Sequence, residues 1–260
     1  MSDAPADRTV PMTGETNGLA GSSSAGDRSG VTDLSGVGEH SGVTDLSAEE
    51  LDGLAAAATV LSRLLLAAPD AEVLAATRDP EMLADWPLPP GEVTSRGLAL
   101  LEASAERGED ARVVRRDHAR LFVGPDTLRA PPYESVHRSA DGLVFEDQTL
   151  QVRAFYARFD LSAPRVGRDP DDHIGLELSF VAALATRALD AMEAGDEDAR
   201  RQTVAALREF LDRHLLAWGP DLMILIGERA ETAFYRGVSA LGFAALEHTA
   251  DRVCGRALRG

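Results

Sequence analysis

The feature that most constrains the fold is a seam of small and aliphatic residues spaced by three and four: Ile174, Leu178, Val181, Ala185, Ala188 and Met192. A 3.6-residue period sets all six on one stripe, so the stretch from about Asp171 predicts a long helix buried along that face. The same period recurs elsewhere. Leu51, Leu54, Ala58, Leu61 and Leu65 share one face of a helix running to about Ala68, and Val204, Leu207, Leu211 and Leu215 share one in a helix opened by Asp196. No strand-like alternation extends beyond a few residues. Hydrophobic residues make up 44% of the chain but aromatics only 5%, so the core is mostly Ala, Leu and Val, which suits helices better than sheets. The expected fold is all-α.

Stop and start signals divide the chain further. Ser47 and Glu50 form a capping box, with order expected from there on. Asp70 opens a short helix ending near Asp79-Pro80, and a long helix follows the Pro87–Gly91 turn to about Arg107. A fourth, from Asp110, ends at Gly124-Pro125. Residues 125–146 read as loop, with Pro131-Pro132 extended. Asp147–Phe159 reads as helix, Trp218-Gly219-Pro220 as a break, and two last helices fill about Asp221–Arg256. Asp160–Pro170, with two prolines and a glycine, is the natural hinge. The expected architecture is therefore a helical bundle of two halves, about 47–159 and 171–260, joined near 160–170. Residues 1–46 are rich in Gly, Ser, Thr and Asp, lack apolar periodicity and are expected to form a disordered head. Within it Ser29–Ser35 recurs as Ser41–Ser47, two copies being too few for a solenoid.

Charge and composition exclude several function classes. All 26 basic residues are arginine, against 43 acidic residues, for a formal net charge of −17. Without lysine there is no P-loop lysine, Schiff base or lysine general base. So acidic a surface repels nucleic acid and anionic membranes, and suits a soluble protein of a salt-rich, halophilic cytoplasm. Cys254 is the only cysteine, which permits no internal disulfide or cysteine metal cluster. The start, MSDAPADRTVPM, lacks the basic and apolar regions of a secretory signal, and the longest apolar runs, such as Leu222–Ile226, fall far short of the ~20 residues that span a bilayer. Stable membrane insertion is not expected.

Two polar segments stand out: Leu121–Val136 (LFVGPDTLRAPPYESV) and Asp171–Leu178 (DDHIGLEL). In the second, His173 and Glu177 stand one helical turn apart beside Asp171 and Asp172. That spacing suits a bundle metal site, though no second Glu-x-x-His unit accompanies it. Its bland alternative is an N-cap in which Asp171 or Asp172 starts the helix. In the first, Tyr133-Glu134-Ser135 lacks the G-x-S-x-G of a nucleophile elbow. A stiff loop with a ring beside a carboxylate suits peptide holding, since the ring stacks on guanidinium and Glu134 can accept an arginine; equally, Pro-Pro-Tyr can plug a gap between helices. Arg115, Arg116, Arg120 and Arg153 read as solvated faces and ion pairs.

Taken in order, LF-x-GP, A-P-P-Y-E-S-V-H, VRAFY and P-D-D-H-I-G-x-E-L resemble the TorD/DmsD family of molybdoenzyme maturation chaperones, relatives of NarJ. The resemblance spans roughly Leu51 to Glu247, includes Trp218 and Phe234-Tyr235, and excludes the head. It implies a helical fold of two hinged halves, a non-enzymatic role and no cofactor of the protein's own. It also implies a partner: the twin-arginine signal peptide and apo body of a DMSO-reductase-type molybdopterin oxidoreductase subunit, held until its cofactor is inserted. By resemblance the peptide-binding residues are Pro132, Tyr133, Glu134, Ser135 and Val136 with Asp172, His173 and Glu177; Asp171 joins them as a further carboxylate for the arginines. The protein is expected as a monomer or domain-swapped dimer. The competing expectation is a metal-dependent hydrolase using Asp172, His173 and Glu177.

Overall fold

The computed structural model describes residues 13–14, 46–124, 128–139, 147–164 and 170–258. Its helices are α1 (Ala48–Leu66), α2 (Ala71–Thr77), α3 (Pro80–Ala84), α4 (Glu92–Glu106), α5 (Ala111–His118), α6 (Glu134–Arg138), α7 (Asp147–Ala157), α8 (Ile174–Glu193), α9 (Glu197–Phe210), α10 (Leu216–Arg229) and α11 (Ala233–Arg252). The strands described are two-residue pieces, β1 (Thr13–Gly14) and β2 (Leu161–Ser162), paired antiparallel. The fold is all-α, and no helix among the described residues is long and apolar enough to cross a membrane.

The expected seam is the axis of the molecule. Ile174, Leu178, Val181, Ala185 and Ala188 are all buried, and α8 packs along α1 on one side and α9 on the other. A second layer sets α11 against α4 and α10. One apolar cluster runs from Leu46 to Val253 and draws on both sequence halves. At the α4–α11 crossing the backbones nearly touch: a Cβ on Gly237 would lie 2.9 Å from the Gly97 carbonyl oxygen. Gly237→Ala is therefore expected to push the helices apart and lower unfolding free energy by about 2 kcal/mol in urea titration, despite alanine's better helix propensity.

Helix ends follow the local chemistry. Ser47 Oγ accepts from Glu50 N at 3.2 Å while Glu50 Oε2 accepts from Ser47 N at 2.8 Å, completing the capping box. Asp70, Asp110 and Asp196 each cap a helix through the N–H three residues on. At Asp79-Pro80 the chain starts α3 as well as ending α2, because proline fits the first turn and Asp79 caps it.

Two expectations fail. The loop over 125–146 contains α6, and residues 125–127 and 140–146 lie outside the described residues. Trp218-Gly219-Pro220 does not break the chain: α9 runs through a π turn at Leu211–Leu215 straight into α10, with Pro220 inside it. Proline removes one backbone donor and crowds the preceding turn, and the wider π turn just upstream accommodates it without a break. Most of the head, including the repeat up to Asp45, lies outside the described residues. At the expected hinge, Asp160 takes a left-handed φ of 56°, a conformation aspartate tolerates better than most residues, and turns the end of α7 into β2.

Candidate functional site

The two polar segments, 37 positions apart at Ser135 and Asp172, lie side by side. Tyr133 and His173 form an antiparallel bridge. Ile174 N donates to Pro132 O at 2.8 Å and Glu134 N donates to Asp172 O at 2.9 Å. The rings of Tyr133 and His173 meet edge-on, 5.3 Å between centroids. His173 is also the N-cap of α8, its Nδ1 accepting from Gly175 N at 3.0 Å. This corrects the expectation that Asp171 or Asp172 caps a helix beginning at 171. Both aspartates are committed elsewhere, and the imidazole takes the vacant donor.

Behind the bridge lie four buried carboxylates. Asp172 accepts from Ser135 N at 2.8 Å and Thr149 Oγ1 at 2.7 Å. Asp171 accepts from Arg153 Nε at 2.9 Å, and Tyr156 Oη donates to the Asp171 carbonyl at 3.0 Å. Glu134 pairs with Arg138 and accepts from His214 Nδ1 at 2.9 Å. Glu177 accepts from Trp218 Nε1 at 3.3 Å, and its Oε1 has no partner within the chain. Each of the four residues is fully shielded from solvent. Residue type and spacing suggested groups open to a peptide; the fold instead turns them inward, where buried backbone and hydroxyl donors need acceptors. Ser135 and Pro132 are buried with them, while Val136 is half-buried.

Glu177 carries a pH consequence. Burial, reinforced by the nearby Glu134 charge, raises its pKa well above the usual carboxylate range. The unfolded chain thus ionises at Glu177 before the folded one does. Its contribution to stability is intact below the ordinary glutamate value and is lost as pH rises toward the folded pKa, at about 1.4 kcal/mol per pH unit within that window. Glu177→Gln should match the wild type near pH 4 and exceed it progressively as pH rises, as read by melting temperature.

The metal-site expectation finds no geometry. Asp172 faces Ser135 and Thr149, His173 Nδ1 is held by Gly175, and Glu177 faces Trp218. Among the described residues no group of three or more histidines, cysteines and carboxylates could hold a metal ion.

What the bridge does line is a cleft of about 570 Å³. Tyr133, His173 and Leu176 form one wall, the end of α1 at Leu66–Ala68 and the end of the α5 path at His118, Phe122 and Val123 another, and Ala163, Pro164 and Pro170 a third. None of its lining residues is acidic or basic apart from the two histidines. Burial lowers the His118 pKa to about 4 and that of His173 to about 3, so both rings are neutral at pH 7. His118 is hydrogen-bonded to the Leu65 backbone, and its Nε2 has no partner within the chain. A neutral ring that gives its proton to a carbonyl through one nitrogen keeps an acceptor lone pair on the other. By the same logic His173, accepting at Nδ1, offers Nε2–H as a donor. The last carbonyls of α1 add the partial negative charge of a helix C-terminus. Sequence reasoning did not place His118 at the peptide site; its position one turn before Phe122, on the helix that ends in LF-x-GP, was the available signal.

The arrangement can therefore receive an extended chain that is cationic at one point and apolar along the rest. Comparison with known proteins identifies the family. The nitrate reductase delta subunit family matches residues 92–223. The chain belongs to this family. Its curated relatives include a probable Tat proofreading chaperone DmsD from Haemophilus influenzae, 23% identical over 68% of this chain and 77% of the relative. They also include the chaperone protein TorD of Aliivibrio fischeri, 28% identical over 58% and 70%. The Tat proofreading chaperone DmsD of Salmonella typhi is 26% identical over 73% and 85%. Within the family, this chain is a redox-enzyme maturation chaperone of the TorD/DmsD type and not an enzyme. The hydrolase alternative finds no support in these relatives.

Proposed function

We propose that this chaperone works in the cytoplasm and holds the twin-arginine signal peptide, together with the apo body, of a molybdopterin oxidoreductase catalytic subunit, delaying export until the cofactor is in place. The observation that carries this reading is the cleft at the Tyr133–His173 bridge, with its apolar walls and the unpartnered His118 Nε2. A twin-arginine peptide offers two guanidinium groups followed by an apolar run. The Tyr133 ring, His118 Nε2 and the α1 carbonyls suit the guanidinium groups, Leu66, Phe122 and Leu176 suit the apolar run, and His173 Nε2–H suits a peptide carbonyl.

In this reading Tyr133 and His173 touch the peptide, and the buried Pro132 holds their bridge through its carbonyl. Glu134, Ser135, Val136, Asp171, Asp172 and Glu177 serve the same site from behind, fixing the bridge rather than pairing with the arginines. Relatives named as Tat proofreading chaperones support the choice of client. Calorimetric titration with a twin-arginine peptide and its twin-lysine counterpart tests it. The arginine peptide should bind at least about tenfold tighter, because lysine can neither stack its head group flat nor spread its donors over several acceptors. Equal affinity, or no binding of either, would remove the reading.

A further inference from the structure

We infer that Gly175 sets the width of the cleft, and with it the size of side chain accepted from the client's apolar run. The inference rests on the peptide reading of the cleft and adds its selectivity. Gly175 does not line the cleft; it stands behind Leu66, which does. A Cβ on Gly175 would overlap Leu66 Cγ and lie 3.0 Å from Leu66 Cδ2. Carbon atoms in ordinary contact stay about 3.5–4.0 Å apart. The Leu66 side chain can therefore take its place in the wall only because residue 175 has no Cβ.

A carbon added at 175 has one way to find room. Both backbone groups of Gly175 are pinned: its N–H donates to His173 Nδ1 at 3.0 Å, and its carbonyl accepts from the buried Ser62 Oγ of α1 at 2.7 Å. These bonds, and the close packing of α1 along α8, oppose any parting of the two helices. Leu66, in contrast, is the last residue of α1, half-buried, with the cleft on its open side. A side chain changes rotamer at far less cost than packed helices separate. The facing walls do not yield in turn. Phe122 is buried, its ring edge-on to His118 at 5.0 Å and to Tyr235 at 5.7 Å, and Leu176 is buried on α8. A methyl at 175 would thus drive Leu66 into the cleft and narrow the space it bounds with Phe122 and Leu176. Glycine keeps that space open to a branched, leucine-sized side chain. Gly175 is a positioning residue, acting on the client through Leu66.

The test is calorimetric titration of the full chain with three twin-arginine peptides whose apolar run is leucine, alanine or phenylalanine. Gly175→Ala should weaken the leucine peptide by about tenfold, the scale of one overpacked contact, and leave the alanine peptide within about twofold. Adding Leu66→Ala to Gly175→Ala removes the group that is displaced. The double variant should bind the leucine peptide as well as Leu66→Ala alone does. Gly237→Ala, at a helix crossing that does not line the cleft, should leave the preference between peptides unchanged. Leu66→Ala alone overpacks nothing, so it tests the width even if Gly175→Ala fails to fold. It should shift the preference from leucine toward phenylalanine by about fivefold, as the enlarged space buries the ring. The inference is overturned if Gly175→Ala weakens the leucine and alanine peptides equally or not at all, if its loss persists without Leu66, or if Leu66→Ala leaves the preference unchanged. If the wild type binds none of the three peptides, it is the reading of the cleft that falls, and the role of Gly175 falls with it.

Discussion

Asp172→Ala is expected to lower unfolding free energy by about 4 kcal/mol, the largest effect of any single side chain at the site. The carboxylate is fully buried and answers two donors that have no water to turn to, Ser135 N and Thr149 Oγ1. Each orphaned donor costs about 1–3 kcal/mol, and the lost charge-assisted bonds are stronger than neutral ones. The same substitution frees the start of α6 from α8, so Tyr133 loses its fixed place on the cleft wall. Asp172→Asn keeps one acceptor oxygen and should recover about half the loss. Urea unfolding monitored by Trp218 fluorescence measures both. A loss below about 1 kcal/mol for the alanine variant would show that Asp172 is not what holds the two segments together.

Charge at the cleft rim gives the second large effect, on binding alone. Val123 lines the cleft yet is 65% exposed, so its substitution leaves the core intact. Val123→Arg should weaken a twin-arginine peptide by about tenfold at low salt, and Val123→Glu should strengthen it by a similar factor. Both follow from placing one charge several ångströms from another at a protein surface. Both effects should shrink as salt is raised, since the pair is open to counterions. Calorimetry at two ionic strengths reads them. A peptide bound elsewhere would respond to neither change.

The helical frame was readable because its signals are local. The seam of Ile174, Leu178, Val181, Ala185 and Ala188, the Ser47–Glu50 capping box and the aspartate caps each depend on residues within a turn or two of each other. Pro220 misled for a related reason: its neighbours announce a break, and the π turn that accommodates it has no pattern of its own. At the site, the sequence identified which segments matter but not which way their side chains face. Glu134, Asp171, Asp172 and Glu177 read as a polar cluster open to a ligand, and only the packing of α6, α7 and α10 around them shows that their partners are Arg138, His214, Arg153, Thr149 and Trp218. His118 was not placed at the peptide site because its importance there comes from an unpartnered nitrogen, which is a property of the folded surroundings.

The central claim is that the client peptide lies in the cleft beside the Tyr133–His173 bridge. Photo-crosslinking tests it most directly, using a twin-arginine peptide with a benzophenone in its apolar run and mass-spectrometric mapping of the adducts on the full chain. The account predicts adducts at Leu66–Ala68, Phe122–Val123 and Leu176, all abolished by excess unlabelled peptide. The molecule offers a rival apolar groove of about 510 Å³ between α4, α10 and α11, lined by Leu100, Ile224 and Phe243. Adducts concentrated there, with the cleft unlabelled, would contradict the account.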